Sequence, residues 1–399
     1  MTKSFLLRDV KVINPTQTLE HAYIVVKDGK IAAMGENENF ERDFSKNEWH
    51  SLKEIKIEPD TVLVPGMIDV HIHGTNNADT MDATPEALTA IAKSLPSEGT
   101  TSFLATTLTQ SEAAITNALK NAAAYAEGEQ PSDRAEMIGV HLEGPFFTAE
   151  KAGAQPKEHL CEADMEQFKK WQEAAKGLIK WVSLAPEKDP YFQLIRYLKD
   201  TGVIASAAHS NASSEEVEKA IDHGLTHVTH LFNGMSGLHH REPGLAAAAL
   251  TRHELTNEII ADGVHVHPAM VNLAYQMKGP FGLLMITDSI RAKCLQNGEY
   301  DLGGQTVTVE GNRPYLPDGT IAGSVLKMNE AMKNILAYTG CRFEEAVAMT
   351  SWNAACKLGT KDRKGNIAVD KDADFVQLGH DQEVIRTWCR GTLAYEKEA

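Results

Sequence analysis

Little in this chain suggests a crosslinked, membrane-embedded or nucleic-acid-binding protein. Its five cysteines, Cys161, Cys294, Cys341, Cys356 and Cys389, are scattered and odd in number. No Cys-x-x-Cys spacing occurs, so neither a disulfide framework nor a structural zinc knot is indicated. No apolar run approaches the length of a membrane span. The N-terminal stretch MTKSFLLRDVKVINP lacks a sustained apolar core and a small-residue cleavage site, so it does not read as a signal peptide. Positive charge is also scarce: 39 basic against 55 acidic residues leave a formal net charge of −16. That balance argues against nucleic acid or an anionic membrane as partner. It still permits a small anionic substrate, which one arginine or one helix N-terminus can bind. A reduced, cytoplasmic protein is the expectation.

What is present is the composition of an ordinary globular protein, 42% hydrophobic and 24% charged, and 399 residues suffice for one large domain and a smaller one. Residues 1–60 are β-rich: SFLLRDVKVINP, HAYIVVKDGKIAAMG and SLKEIKIEP alternate in polarity between Asn-Pro and Asp-Gly turns. Residues 360–399 read similarly, which predicts that both ends pair into one small β-sandwich domain. Between them, residues 61–359 have another rhythm. Short β-branched runs occur at TVLVPGMIDVHIHG, TTSFLATTL, AEMIGVHLEGPFF, LIKWVSLAPE, GVIASAAHSNA, THVTHLFNGM, NEIIADGVHV and GLLMITDSI. Helical patterns separate them, several starting at Ser, Thr or Asp followed by Glu and stopping at Gly. Strands alternating with helices in this way predict an α/β fold, a (β/α)8 TIM-type barrel. Gly-rich β-hairpin material at about 290–323 interrupts the pattern beside the expected active-site face, and two helical segments then close the barrel.

The polar residues gather at the C-terminal ends of the strand candidates. They are His71 and His73 on the first, His141 and Glu143 on the third, and Glu187 on the fourth. His209 ends the fifth, His227 and His230 the sixth, His265 and His267 the seventh, and Asp288 the eighth. In a barrel all these ends open on one face, where catalytic groups collect. His71 and His73, two apart in a strand, project to the same side. Paired imidazoles repel when protonated, so a shared metal explains them well. Taken singly, His141 and His227 read equally as hydrogen-bonded core residues, Glu143 as a strand end, and Asp288 as a helix cap. Taken together, with His209 and His230 at equivalent ends, they read as a metal cage. Asp288 would take a proton from metal-bound water as general base and return it to a leaving amine, while His265 could polarise a carbonyl.

The motifs PGMIDVHIHG, HLEGPF, AAHSNA, THVTHLFNGM, REPG, ADGVHV, ITDS and GTIAGS occur in this order. In this the chain resembles the N-acetylglucosamine-6-phosphate deacetylases of the amidohydrolase superfamily over essentially its whole length. The resemblance implies hydrolysis of the N-acetyl amide of N-acetylglucosamine 6-phosphate to glucosamine 6-phosphate and acetate. It implies a primary metal on Glu143, His209 and His230, a water activated by Asp288, and a substrate held and polarised by His265. Asn233 and Gly234 correspond to sugar-phosphate contacts, and Ala154, Ile321, Ala322 and Gly323 to positions lining the substrate. Arg241 in REPG corresponds to a phosphate-binding arginine that reaches the neighbouring subunit's active site, so a homodimer is expected. Its planar fork suits phosphate oxygens; without the motif it would read as a surface arginine before a turn. His71 and His73 add a second metal position sharing Glu143 or Asp288. The cofactor is thus one or two divalent ions per subunit, drawn from Zn, Fe, Mn or Co.

Two residues depart from the family pattern. The loop after EGP reads AGAQP, with Gln155 where some members carry histidine, and Gly234 stands where many carry alanine. A dihydroorotase or hydantoinase-like cyclic amidase is the alternative enzyme. Many of those bridge two metals with a carboxylated lysine at the end of strand four. Here Lys180 lies near the start of IKWVSLAPE and Glu187 at its end, so bridging falls more naturally to Glu143. A barrel kept only as a scaffold should have lost ligands or the aspartate, and this chain retains them.

Overall fold

Strands covered on both faces must be apolar along their length, and the β-branched runs of the central segment form such strands. In the computed structural model, which describes residues 4–43 and 52–398, they make one sheet of eight strands in sequence order. The strands are Met67–Ile72, Thr100–Thr106, Glu136–Glu143, Ile179–Leu184, Ile204–Ala207, Leu225–Val228, Thr256–Ile259 and Leu283–Met285. Every pairing among them is parallel. Residues 44–51 of the expected N-terminal β segment lie outside the described residues.

The sheet curls until its last strand meets its first. Asp288 N donates to His71 O at 2.9 Å, and His73 N donates to Ser289 O at 3.0 Å. Asp69, the one carboxylate in the first strand, reinforces this seam by accepting from Thr287 Oγ1 at 2.5 Å and from His71 N at 3.2 Å. Burial raises its carboxyl to about 6. Three of the barrel's helices start where capping chemistry predicts. Thr84, Ser111 and Ser213 each accept a backbone N–H of the first turn, and Ser213 forms a reciprocal box with Glu216. The segment DPYFQLIRYLKDTG starts its helix three residues later than a cap at its first aspartate would place it. Its helix is Gln193–Thr201, and Asp189 reaches forward to accept from Gln193 N and Ile195 N, both at 2.9 Å.

The 290–323 region forms three antiparallel strands, Gly298–Leu302, Gln305–Glu310 and Arg313–Tyr315, where a hairpin was expected. Its own small core, including Ile290, Leu302, Val307 and Val309, packs on Leu108 at the barrel mouth. Among the described residues no helix is long and apolar enough to cross a membrane.

The chain ends pair as expected. Phe375–Leu378 runs antiparallel to Val62–Pro65, which runs parallel to Phe5–Ile13, inside a second sheet of eight strands. Phe5, Phe375 and Trp388 meet ring to ring within its core, and the Asp28-Gly29 turn takes the positive φ values (51° and 82°) that a tight hairpin requires. One buried lysine ties this sheet to the barrel. Lys364 Nζ stands 2.6 Å from Asp374, 2.8 Å from Glu136 at the start of the third barrel strand, and 3.4 Å from Asp372. Burial opposes ionisation of Glu136, but Lys364 and the neighbouring arginines outweigh it and lower its carboxyl to about 2. Replacing Lys364 by methionine leaves these acids short of a buried counter-charge. Lys364→Met is expected to lower unfolding free energy by about 3–5 kcal/mol, read from the urea midpoint. An unchanged midpoint would remove the lysine's structural role.

Candidate metal centre and active site

Glu143 is the last residue of the third barrel strand, and its carboxylate lies at the middle of the mouth. Oε1 stands 3.4 Å from His209 Nε2 and 3.3 Å from His230 Nε2, and those two nitrogens are 3.1 Å apart. Oε2 stands 3.3 Å from His73 Nε2. Asp288 Oδ1 completes the neighbouring set, 3.4 Å from His71 Nε2 and 3.3 Å from His73 Nε2. Ligands about 2.0–2.1 Å from a tetrahedral divalent ion stand about 3.3 Å from one another. Glu143, His209 and His230 have that spacing throughout, Asp288 has it to both His71 and His73, and both sets are buried. The residues present therefore fit one divalent cation in each set, with Glu143 between them.

The backbone reaches this arrangement through unfavourable conformations. His209, His230 and Asp288 lie just beyond their strands and have φ of +44°, +32° and +48°. Non-glycine residues rarely adopt this left-handed region, and such strain persists where surrounding structure over-determines it. It turns the three side chains back over the barrel axis. Gly234 makes room for one of them: a β-carbon there would stand 2.8 Å from His209 Nδ1.

Hydrogen bonds also select which imidazole nitrogens face inward. His209 Nδ1 donates to Lys151 O at 2.8 Å, leaving Nε2 for the site. His71 Nδ1 donates to Glu258 at 2.9 Å, leaving its Nε2 buried without a hydrogen-bond partner. A ring nitrogen fixed by a carboxylate behind it is the usual support of a metal-bound histidine. Glu258, fully buried on the seventh strand, also accepts from His230 N at 3.3 Å and so touches both sets. Sequence reasoning missed it. The only signal was a glutamate in the apolar run NEII, facing inward.

His141 and His227 settle as core residues. His141 donates from Nδ1 to Val70 O and pairs through Nε2 with Ser183 Oγ at 2.7 Å, and burial beside His71 pushes it down to about 3. His227 bonds Thr256 Oγ1, and burial lowers it to about 4. His267 caps the helix Pro268–Lys278 and is exposed. Glu187 accepts from Thr148, Ser210 and Asn211, clamping three loops together beside the site. Lys180 is exposed and bonds Gly177 O, so it cannot bridge metals from the strand-four end.

The mouth holds a cavity of about 180 Å³. His73, Glu143, His209, His230 and Asp288 reach it from the strand ends. Asn233, Gly234, Ala154 and His265 line its sides, and Ile321 and Gly323 come from the inserted strands' end. Ala322 sits behind them, its methyl in the insertion's core. His265 is fixed by Asp262, which accepts from its Nδ1 at 2.7 Å. Arg241 is not brought to this cavity. It lies on an exposed loop with its guanidinium 2.7 Å from His240.

An amidohydrolase family profile matches residues 62–394. An N-acetylglucosamine-6-phosphate deacetylase of Bacillus subtilis (strain 168) is 48% identical over 401 residues, covering 100% of this chain and 99% of that protein. One from Lysinibacillus sphaericus is 39% identical over 374 residues, covering 94% and 93%. The crystal structure of N-acetylglucosamine-6-phosphate deacetylase from Thermotoga maritima superposes with a TM-score of 0.86 at 32% identity, over 98% of this chain and 100% of that one.

The electrostatics predict a pH dependence. Burial disfavours protonated His73, but Asp288 and Glu143 outweigh it and push the ring up to about 9. In a chelator-stripped chain the charged ring therefore stabilises the fold fully below 6.5, and that contribution is lost as pH rises through about 9. Ligation needs the neutral ring, so cation and proton compete. Across that window the rise in melting temperature caused by a fixed excess of Mn²⁺ is expected to grow with pH. A rise that stayed constant or shrank would contradict the assignment of His73 as a ligand.

Proposed function

The chain belongs to the amidohydrolase family, and we propose that it hydrolyses the N-acetyl amide of N-acetyl-D-glucosamine 6-phosphate to D-glucosamine 6-phosphate and acetate, with two divalent ions per subunit drawn from zinc, iron, manganese or cobalt. The observation that carries this reading is the pair of ligand sets meeting at Glu143 beside Asp288, at the floor of one cavity.

A divalent cation held there supplies Lewis acidity toward the amide carbonyl and toward water. The remaining work falls to side chains. Burial opposes the Asp288 carboxylate, but His71 and His73 outweigh it and hold its carboxyl below the usual range, so it is ionised and ready to accept a proton. Asp288 takes that proton from the attacking water as its oxygen bonds to the carbonyl carbon. It returns the proton to the amide nitrogen as the C–N bond breaks, releasing acetate and the free amine. With Nδ1–H on Asp262, His265 turns Nε2 to the cavity, and its imidazolium form can donate from there to the acetamide oxygen. Asn233, Gly234, Ala154, Ile321 and Gly323 enclose the sugar. Ala322 supports them from behind.

The phosphate requires a cation that a strongly acidic chain must place deliberately, and Arg241 is the candidate. It does not line the cavity of its own chain, which favours a homodimer in which each Arg241 completes its partner's site. The cytoplasm, where sugar phosphates are retained, is the expected setting.

Purified enzyme loaded with Mn²⁺ is expected to release acetate from N-acetylglucosamine 6-phosphate, and Asp288→Asn to lower kcat by about 10²–10⁴-fold with its cation content intact. Wild-type turnover by fully loaded Asp288→Asn would sink the mechanism. For the phosphate, Arg241→Ala is expected to raise KM for the phosphorylated sugar by at least about tenfold. Refolding or exchanging Arg241→Ala subunits with Asp288→Asn subunits should then recover activity, because each mixed dimer holds one intact site. No recovery from such mixing would place Arg241 in its own chain's site.

A further inference from the structure

Gln155 lines the site, and neither its motif nor the reaction assigns it a role. It is 5% exposed and lies on the loop after the third barrel strand. Its orientation is settled by its neighbours. Thr109 N can only donate, and it meets Gln155 Oε1 at 2.9 Å. The amide nitrogen therefore points the other way, where Nε2 donates to Glu143 Oε2 at 2.8 Å. Gln155 thus grips the oxygen that faces His73 and leaves Oε1 to His209 and His230, with His71 Nε2 also 3.5 Å from Oε1.

We propose that Gln155 is a positioning residue that holds Glu143 across the two ligand sets and thereby sets the affinity of the second, His71–His73–Asp288 position for its cation. A carboxylate can divide its oxygens between two ions only in one rotation about its last bond. The Gln155 hydrogen bond selects that rotation. Without it, Glu143 can turn both oxygens toward His209 and His230 and withdraw from His73. The same short loop reaches the first set as well, because Lys151 O accepts from His209 Nδ1. It is anchored in turn to the inserted strands, where Gln305 Nε2 donates to Ala154 O at 2.7 Å. One loop therefore braces the shared carboxylate and one histidine of the first set. With Oε1 on Thr109 and Nε2 on Glu143, the amide acts chiefly on the protein, not on the substrate.

This inference rests on the two-cation reading above, and its test is read without substrate. Chelator-stripped full-length protein is titrated with Mn²⁺ and followed by electron paramagnetic resonance. The wild type is expected to bind two equivalents, the second producing the exchange-coupled signal of a bridged pair. Gln155→Met keeps length but removes both amide atoms, and Gln155→Asn keeps the amide one methylene short of Glu143. Both are expected to retain the first equivalent and to bind the second about 10–100-fold more weakly. In turnover assays kcat should fall while KM for the phosphorylated sugar holds. Should Gln155→Met fail to fold, judged by its stripped melting curve, Gln155→Asn decides. Wild-type two-step binding by the folded variants, or a raised KM with unchanged Mn²⁺ binding, overturns the proposal and makes Gln155 a substrate contact. A wild type that binds the Mn²⁺ pair yet releases no acetate would strike the deacetylase reading alone.

Discussion

A buried carboxylate needs positive charge, and most of this molecule is arranged around that need at Glu143. It is 2% exposed, and an isolated anion at such a position is strongly unfavourable. Burial alone would raise its carboxyl. His71, His209 and His230 outweigh that and hold it well below the usual carboxylate range. Four imidazoles from three strand ends converge on one acid, and their ligating nitrogens stand 3.3–3.5 Å from its oxygens, close to the spacing of a metal's coordination shell. A cation in either set serves the charge balance and the chemistry together.

Keeping those groups in place falls to structure beyond the ligands. The barrel seam runs directly through the site: Asp288 N is bonded to His71 O, so the proposed general base and a ligand share one backbone link. Glu258 behind His71, Lys151 O behind His209 and Gln155 beside Glu143 each hold a specific atom of a specific group. Left-handed conformations at His209, His230 and Asp288 are sustained by these contacts. At the other end of the barrel, Lys364 balances Glu136, Asp372 and Asp374, so the terminal sheet and the third strand are tied together. The strand that carries Glu143 at one end is thus anchored at its other end by Glu136.

Several features were legible before any coordinates. Apolar runs bounded by capping residues and glycines located the eight barrel strands, because burial on both faces demands such runs. The motifs around His71, His209, His230 and Asp288 pointed to the mouth, because parallel strands with helical crossovers bring all their C-terminal ends to one side. Other features were not. Glu258 looks like any glutamate in a short strand until its neighbours make it inward-facing and fully buried. Asp189 caps its helix from beyond the usual position, and the inserted region has a third strand, because long-range packing chose among local options of similar energy.

By itself the sequence determined the kinds of groups available, their order, and the strand ends that carry them, since alternation and capping are local properties of the chain. It left His141 and His227 indistinguishable from ligands, and it placed Arg241 only a few residues along the chain from Asn233 and Gly234. Tertiary structure decided those points. The barrel's curvature turned His141 and His227 toward Ser183 and Thr256, and an exposed loop carried Arg241 away from its own cavity. It also decided how Gln155 and Glu143 meet across the mouth. Distances of about 3 Å between residues far apart in sequence are set by the closure of the whole sheet, and no local pattern in the chain records them.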